Sequence, residues 1–344
     1  MIKVNTKEKN YNSLFFYWLI ISLVLIFLII IIGGLTRLTN SGLSIIEWEL
    51  FSGILPPFDA EIWNLYFEKY KTIPQYKLIN YDMKLEEFKV IFYWEYFHRL
   101  IARTIGLFFF IPLCFFYFTK KIKTNYLNTC YIIFGLILFQ GIIGWYMVRS
   151  GLINNVKVSH FRLSAHLITA IIIISMIFWL LKNFYTNKEK KFFIFSKEKL
   201  PYQILILIIF FQIVIGAFVS GLGAGMIYQT WPLMGSSFFP NDILYENLIE
   251  FFDFNNHSLV QFYHRSVAYL IILYSVYLIL KIYIQKIKIL YKPILILFFV
   301  LLLQVILGIL TLISGLNIIL ASAHQITSVL LVFSALNLYY LRIK

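Results

Sequence analysis

The sequence predicts an all-α membrane protein of eight transmembrane helices, arranged as two pseudo-symmetric four-helix bundles. Three observations lead there. The 344 residues are 60% hydrophobic and only 13% charged, too little charge to cover a soluble domain of this size. Eight apolar runs approach or exceed the ~20 residues that a helix needs to cross a hydrocarbon core. The same residue landmarks also occur twice, in the same order, once in each half of the chain.

The spans are Leu14–Leu35, Trp94–Phe118, Leu127–Val148, Leu163–Leu181, Ile204–Gly221, Leu259–Leu280, Ile294–Ser314 and Ile319–Tyr340. The first lacks a small-residue cleavage site and is too long for a signal-peptide core, so it is read as a retained helix. The long segment from Thr39 to about Phe92, with Pro56-Pro57, scattered aromatics and mixed charge, is expected to form short interfacial helices. Its counterpart, Leu222–Ser258, is shorter.

A net charge of +14 raises the question of nucleic acid, which the placement of the charges excludes. The basic residues sit in alternate short loops and set orientation in a lipid bilayer. Lys3, Lys7 and Lys9 precede span 1, and Lys120, Lys121 and Lys123 join spans 2 and 3. Lys182, Lys188, Lys190, Lys191, Lys197 and Lys199 join spans 4 and 5. Lys286, Lys288 and Lys292 join spans 6 and 7, and Arg342 and Lys344 follow span 8. The opposite loops hold the acids Glu47, Glu49, Asp59, Glu61, Glu68, Asp82, Glu86 and Glu87, then Asp242, Glu246, Glu250 and Asp253. This asymmetry predicts a multi-pass protein of a bacterial cytoplasmic (inner) membrane with both termini cytoplasmic. Cys114 and Cys130 then lie toward the reducing face and are read as small core residues.

The repeat divides the chain into residues 1–190 and 191–344. Glu95-Tyr96-Phe97-His98-Arg99 opens span 2, and Gln261-Phe262-Tyr263-His264-Arg265 opens span 6. Gln140 with Gly144 in span 3 matches Gln304 with Gly308 in span 7. Ser150-Gly151-Leu152 and Ser314-Gly315-Leu316 follow, each expected as a short outer loop. Ser164-Ala165-His166 and Ser322-Ala323-His324 then open spans 4 and 8. Ile32-Gly33-Gly34 ends span 1, and Ile215-Gly216-Ala217 ends span 5. Four spans per copy make this a parallel repeat about the membrane normal.

Ionisable groups inside a membrane are costly and invite a functional reading. Four of the six histidines, His98, His166, His264 and His324, share one position, the outer end of an even-numbered span. Two imidazoles at one depth on neighbouring helices grip a planar ligand from both faces, and imidazole is a common axial ligand of haem iron. Zinc is the competing ligand, but it favours three or four protein donors, and no third donor recurs in both halves. Glu95 serves in the first half only, because Gln261 replaces it in the second. His160 and His257 fit the pattern less well and are read as interfacial residues. Arg99, Arg265 and Arg37 lie at the depth of the histidines, where a guanidinium fork matches a haem propionate. Arg149 and Arg162 are equally well explained by snorkelling to lipid headgroups.

These landmarks, taken as an ordered set, resemble the haem A synthase family over nearly the whole chain. Its first signature resembles Gly33-Gly34-Leu35-Thr36-Arg37-Leu38-Thr39, with Ser41-Gly42-Leu43-Ser44 and Trp48. Its Glu-x-x-His-Arg signature resembles Glu95–Arg99. Gln140–Val148, Thr230-Trp231-Pro232-Leu233-Met234, Gln261–Arg265 and Ala323-His324-Gln325 complete the series. The resemblance implies an oxidoreductase that converts a methyl group of haem O into the formyl group of haem A for cytochrome oxidase assembly, with water as the oxygen source. It further implies a resident haem B on His264 and His324 in the C-terminal half. Haem O would then lie on His98 and His166 in the N-terminal half, with Glu95 catalytic. Haem O synthase, cytochrome oxidase subunits and a second copy of the chain become the candidate partners.

The chain departs from the family in two ways. It has no outer-loop cysteine, where some members carry a pair, and Gly223 and Gln229 stand where a larger or charged residue and an asparagine are expected. Two other classes compete with the enzyme: a dihaem b-type electron-transfer protein without chemistry of its own, and a non-catalytic assembly partner. The carboxylate at Glu95 in one half alone argues against a pure electron conduit.

Overall fold

The computed structural model describes residues 6–48, 52–154, 156–243 and 248–343. Lys3, Glu49, Glu246 and Lys344, named above for their charge, lie outside the described residues. Among the described residues the fold is helical and contains no strand. The helices are α1 (Thr6–Leu38), α2 (Ala60–Lys71), α3 (Pro74–Leu78), α4 (Leu85–Thr119), α5 (Thr124–Asn154), α6 (His160–Thr186), α7 (Leu200–Leu222), α8 (His257–Ile284), α9 (Tyr291–Ile313) and α10 (Ile318–Arg342). All but α2 and α3 are long and apolar enough to cross a membrane, giving eight candidate spans and a multi-pass membrane protein. Large apolar side chains such as Leu107, Ile111, Leu207, Leu273 and Phe299 are exposed along these helices. They need hydrocarbon in place of water.

Helix ends follow local chemistry that apolar patterning does not register. Span 2 was expected from Trp94, but α4 begins at Leu85. The Glu87 carboxylate accepts from the Lys84 backbone N–H at 2.8 Å, closing one side of a capping box and adding polar turns ahead of the apolar run. Asn256 and Asn317 cap α8 and α10 by accepting from backbone N–H groups two and three residues on.

The two Ser-Gly-Leu tripeptides differ, which corrects the expectation of a loop at both. Ser314-Gly315-Leu316 is a turn, with Gly315 at φ +71° and Leu316 at φ +63°. Ser150-Gly151-Leu152 is helical and lies inside α5. Gly315 supplies a left-handed conformation. Gly151 supplies space instead: a Cβ there would stand 3.0 Å from a Leu43 methyl carbon.

By contact, the chain divides into two compact units, one of Met1–Arg162 with Thr169–Lys188 and one of Leu163–Ile168 with Glu189–Lys344. In the first unit α4 packs on α1 and α5. The segment after α1 folds back over α4. Trp63, Phe67 and Tyr70 of α2 bury against Phe88, Ile91, Phe92 and Tyr96 of α4 together with Leu43 and Ile45. The Tyr96 hydroxyl donates to the Ile54 carbonyl at 2.6 Å, and the Gln75 amide donates to the Asn40 carbonyl at 3.1 Å. In the second unit α7 packs on α8, α8 on α9, α9 on α10, and α10 back on α7, a closed ring of four helices. A linker strand of chain is fastened to the end of α10. Lys190 donates to the carbonyls of Tyr340 and Ile343, and Arg342 pairs with Glu198 at 2.6 Å.

Candidate functional site

Three of the four patterned histidines share one packing arrangement. His98 of α4 lies against Gly33 of α1, His264 of α8 against Gly216 of α7, and His324 of α10 against Gly308 of α9. A Cβ on these glycines would stand 3.2, 3.0 and 2.9 Å from the Cε1 atom of the respective imidazole. Each glycine therefore lets a neighbouring helix approach closely enough to seat a ring edge. The repeated glycines read from the sequence are, in space, histidine seats.

The second unit brings His264 and His324 together. Their ring centres are 6.3 Å apart and their planes cross at 80°. A metal–imidazole bond is about 2 Å, and a ring nitrogen lies roughly 1.1 Å from the ring centre, so two rings on opposite faces of one metal stand about 6 Å apart. The spacing fits a single haem iron between them. The His324 Nδ1 lies 3.0 Å from the Gln304 carbonyl, which orients the ring, and its Nε2 lies 3.5 Å from the Gln304 side-chain amide nitrogen. Thr327 donates to the Gln304 side-chain oxygen, and the Gln212 amide donates to the His264 carbonyl at 2.9 Å. The buried Nδ1 of His264 has no hydrogen-bond partner among the described residues. No group of three or more His, Cys, Asp or Glu side chains converges among the described residues, so a two-histidine site is what the geometry offers.

Glu95 and Arg99 form a buried pair on successive turns of α4. Arg99 Nη2 is 2.6 Å and Nε 3.1 Å from Glu95 Oε1, with side-chain exposures of 12% and 4%. The other carboxylate oxygen, Oε2, accepts from the Ser44 N–H at 2.7 Å, the Ser44 hydroxyl at 2.7 Å and the Ile45 N–H at 3.0 Å. Arg99 also donates to the Ile45 carbonyl at 2.7 Å and the Glu47 carbonyl at 3.1 Å. The pair thus fastens residues 44–47 to α4. The second unit repeats this clamp with a neutral partner. The Gln261 amide donates to the Tyr228 carbonyl at 2.8 Å, while Arg265 donates to the carbonyls of Tyr228 at 3.0 Å and Leu233 at 3.3 Å. Sequence reading found both arginines, named Ser44 only within a family signature and missed Ile45, because backbone N–H groups carry no side-chain signal.

The remaining residues are dispersed. His166 lies half-buried in the second turn of α6, inside Leu163–Ile168, so it and His98 fall in different compact units. Arg37 donates to Asn40 Oδ1 at 3.2 Å. His160 opens α6 buried against Phe161, and His257 opens α8 exposed. Arg162 lies over the Tyr146 ring at 4.7 Å, and Arg149 over the Trp145 ring at 5.2 Å. Cys114 and Cys130 are free thiols.

The profile of a family described as cytochrome oxidase assembly protein matches residues 16–336. A protein named heme A synthase from Pelagibacter ubique (strain HTCC1062) is 51% identical over 96% of this chain and 97% of its own length. The chain belongs to the haem A synthase family. Further haem A synthases are similar to it: one from Rickettsia prowazekii (strain Madrid E), 40% identical over 96% of this chain and 98% of its own, and one from Parvibaculum lavamentivorans, 41% identical over 79% of each. Glu95, the four patterned histidines and the three expected propionate arginines all fall within the stretch shared with the cytochrome oxidase assembly protein profile.

Proposed function

We propose that the chain oxidises a methyl group of haem O to the formyl group of haem A, and that its two halves divide the work. Residues 191–344 hold a resident haem B between His264 and His324. Residues 1–190 take haem O on His98 and His166. The observation that carries this reading is the 6.3 Å spacing of the His264 and His324 rings, each seated on a glycine of the preceding helix.

Haem B, when bound, supplies a one-electron carrier that passes electrons on to an acceptor. Two axial histidines on haem O leave the iron no open position, so the chemistry is placed at the porphyrin edge. Each of two successive oxidations would remove two electrons and two protons, so that the methyl group and one water become the formyl group with four protons and four electrons released, the electrons passing one at a time to an external acceptor. Glu95 is three residues before His98, so both share one face of α4. A carboxylate there stabilises positive charge building at the carbon and accepts a proton from the attacking water. Arg99, Arg265 and Arg37 are the candidates that the sequence offers for the propionates, though four of the five N–H groups of Arg99 are engaged by Glu95 and the carbonyls of Ile45 and Glu47. The protein acts in a bacterial inner membrane with both termini cytoplasmic, and haem O synthase, cytochrome oxidase subunits and a second copy of the chain are its candidate partners.

A second reading of Glu95 is favoured by its five hydrogen bonds. In that reading it holds residues 44–47 in place and touches no substrate. Haem O turnover by the purified protein, with mass analysis of the product, tests the enzyme. Unchanged haem O alongside a normal haem B spectrum would point to an electron-transfer protein.

A further inference from the structure

The first unit carries a half-open cavity of about 240 Å³ where α4 and α5 meet the segment that follows α1. Its walls are Trp48, Trp145, Val148 and Leu152, and its charged lining is Arg99 and Arg149. Each guanidinium lies over an indole, Arg99 at 5.4 Å from the Trp48 ring centre and Arg149 at 5.2 Å from that of Trp145. The two cations differ in their partners. Arg99 spends four of its five N–H groups on Glu95 and the carbonyls of Ile45 and Glu47. Arg149 is exposed and makes no hydrogen bond or ion pair with any described residue.

The repeat shows that two residues lining this cavity, Trp145 and Arg149, belong to the first half alone. Trp145 follows Gly144, and the residue after Gly308 is Ile309. Arg149 precedes Ser150, and the residue before Ser314 is Ile313. The landmarks that seat histidines are kept in both halves, as are Trp48, matched by Trp231, and Arg99, matched by Arg265, while Trp145 and Arg149 have no counterpart in the second. A cation on an indole wall recognises an anion attached to a flat apolar body. The size narrows this further. A site enclosing a drug-sized molecule occupies roughly 300–1,000 Å³. A cavity of about 240 Å³ takes only part of a porphyrin, such as its short acid arms.

We propose that this cavity is the carboxylate subsite for the substrate haem and that Arg149, not Arg99, is the residue that meets a propionate. Arg99 instead holds the floor by clamping residues 44–47, which places Trp48. The proposal rests on the reading that haem O occupies the first half.

The test is a titration of the purified protein, loaded with its resident haem, with haem O and with haem O dimethyl ester, whose propionates carry no charge. Binding is followed by difference absorbance in nanodiscs of neutral phosphatidylcholine and of anionic phosphatidylglycerol. The wild type is expected to prefer the free acid about tenfold or more, the range of a charge-assisted hydrogen bond. Arg149→Gln is expected to lose that preference by weakening the free acid alone, and Arg149→Lys to keep part of it. An unchanged resident-haem spectrum shows that each variant is folded. Equal weakening of both ligands by Arg149→Gln, or a wild type that does not discriminate, overturns the proposal. A preference that Arg149→Gln leaves intact in both lipids assigns the carboxylates to another group and also overturns it. If His98→Ala and His166→Ala bind haem O as tightly as the wild type, the underlying reading fails. That result is distinct from a failure confined to Arg149.

Discussion

The imidazole planes of His264 and His324 cross at 80° with their centres 6.3 Å apart. Were both rings to hold one haem iron at this angle, as proposed, the ferric haem would be low-spin with high magnetic anisotropy. The purified protein is therefore expected to show a highly anisotropic low-spin electron paramagnetic resonance signal. His264→Ala or His324→Ala removes it, while His98→Ala and His166→Ala leave it in place and stop haem A formation. Equal bleaching by all four substitutions counts against the division of labour.

The histidine seats make a graded prediction. Gly308→Ala places a carbon 2.9 Å from His324, and Gly216→Ala one 3.0 Å from His264. Forcing a methyl into such packing costs about 1–3 kcal/mol. Both variants should bind haem B less firmly and shift its midpoint potential. Gly141→Ala meets nothing within 4 Å and should leave the potential unchanged, which redox titration of the three proteins checks.

Glu95→Gln imitates the second half, where Gln261 already sits four residues before an arginine that grips the adjacent loop. It is expected to fold and to keep the haem B spectrum while producing no haem A. Arg99→Leu differs, because it strands a buried carboxylate, a loss of about 3–5 kcal/mol. Thermal unfolding and product chromatography on the same preparations separate the two. A normal haem A yield from Glu95→Gln would remove the residue from the chemistry.

Acid should loosen residues 224–243. Burial pushes the Asp242 carboxyl up, but hydrogen bonds from Ser258 at 2.6 Å and Tyr228 at 2.8 Å outweigh it and hold the group below its usual range. A carboxylate with a depressed folded-state value contributes stability that is present above its unfolded value, about 4, and is lost as pH falls through the folded one. Proteolysis in this segment should therefore accelerate below about pH 4 in the wild type. In Asp242→Asn it should not change with pH over that range.

The charge asymmetry predicts that reporter fusions at Lys71 and Asn241 are active only with periplasmic reporters. A cytoplasmic signal from either position would overturn the proposed orientation.

The eight spans were legible because hydrocarbon demands an unbroken apolar run, a requirement visible one residue at a time. Their ends were less so: the capped polar turns of α4 from Leu85 have no apolar signature. The histidines stood out as costly groups in a repeated position. Gly33, Gly216 and Gly308 were visible as landmarks, but their purpose appeared only when each was found beneath a ring. Ser44 entered the reading only as part of a family signature, because two of the three donors to Glu95 Oε2 are main-chain N–H groups. Backbone donors are common to nearly every residue, so their convergence on one carboxylate is a property of the fold alone.

Gly151 and Gly315 carry the same tripeptide into different conformations, one helical against Leu43, the other a left-handed turn. The two copies are therefore no longer exchangeable parts. A chimaera carrying residues 309–316 in place of 145–152 would keep every glycine and serine yet end α5 early and draw position 152 away from Leu43. The copies differ in backbone conformation as well as in side chains, and tandem fusion of either half to itself should yield a chain with one competent haem pocket type and no turnover.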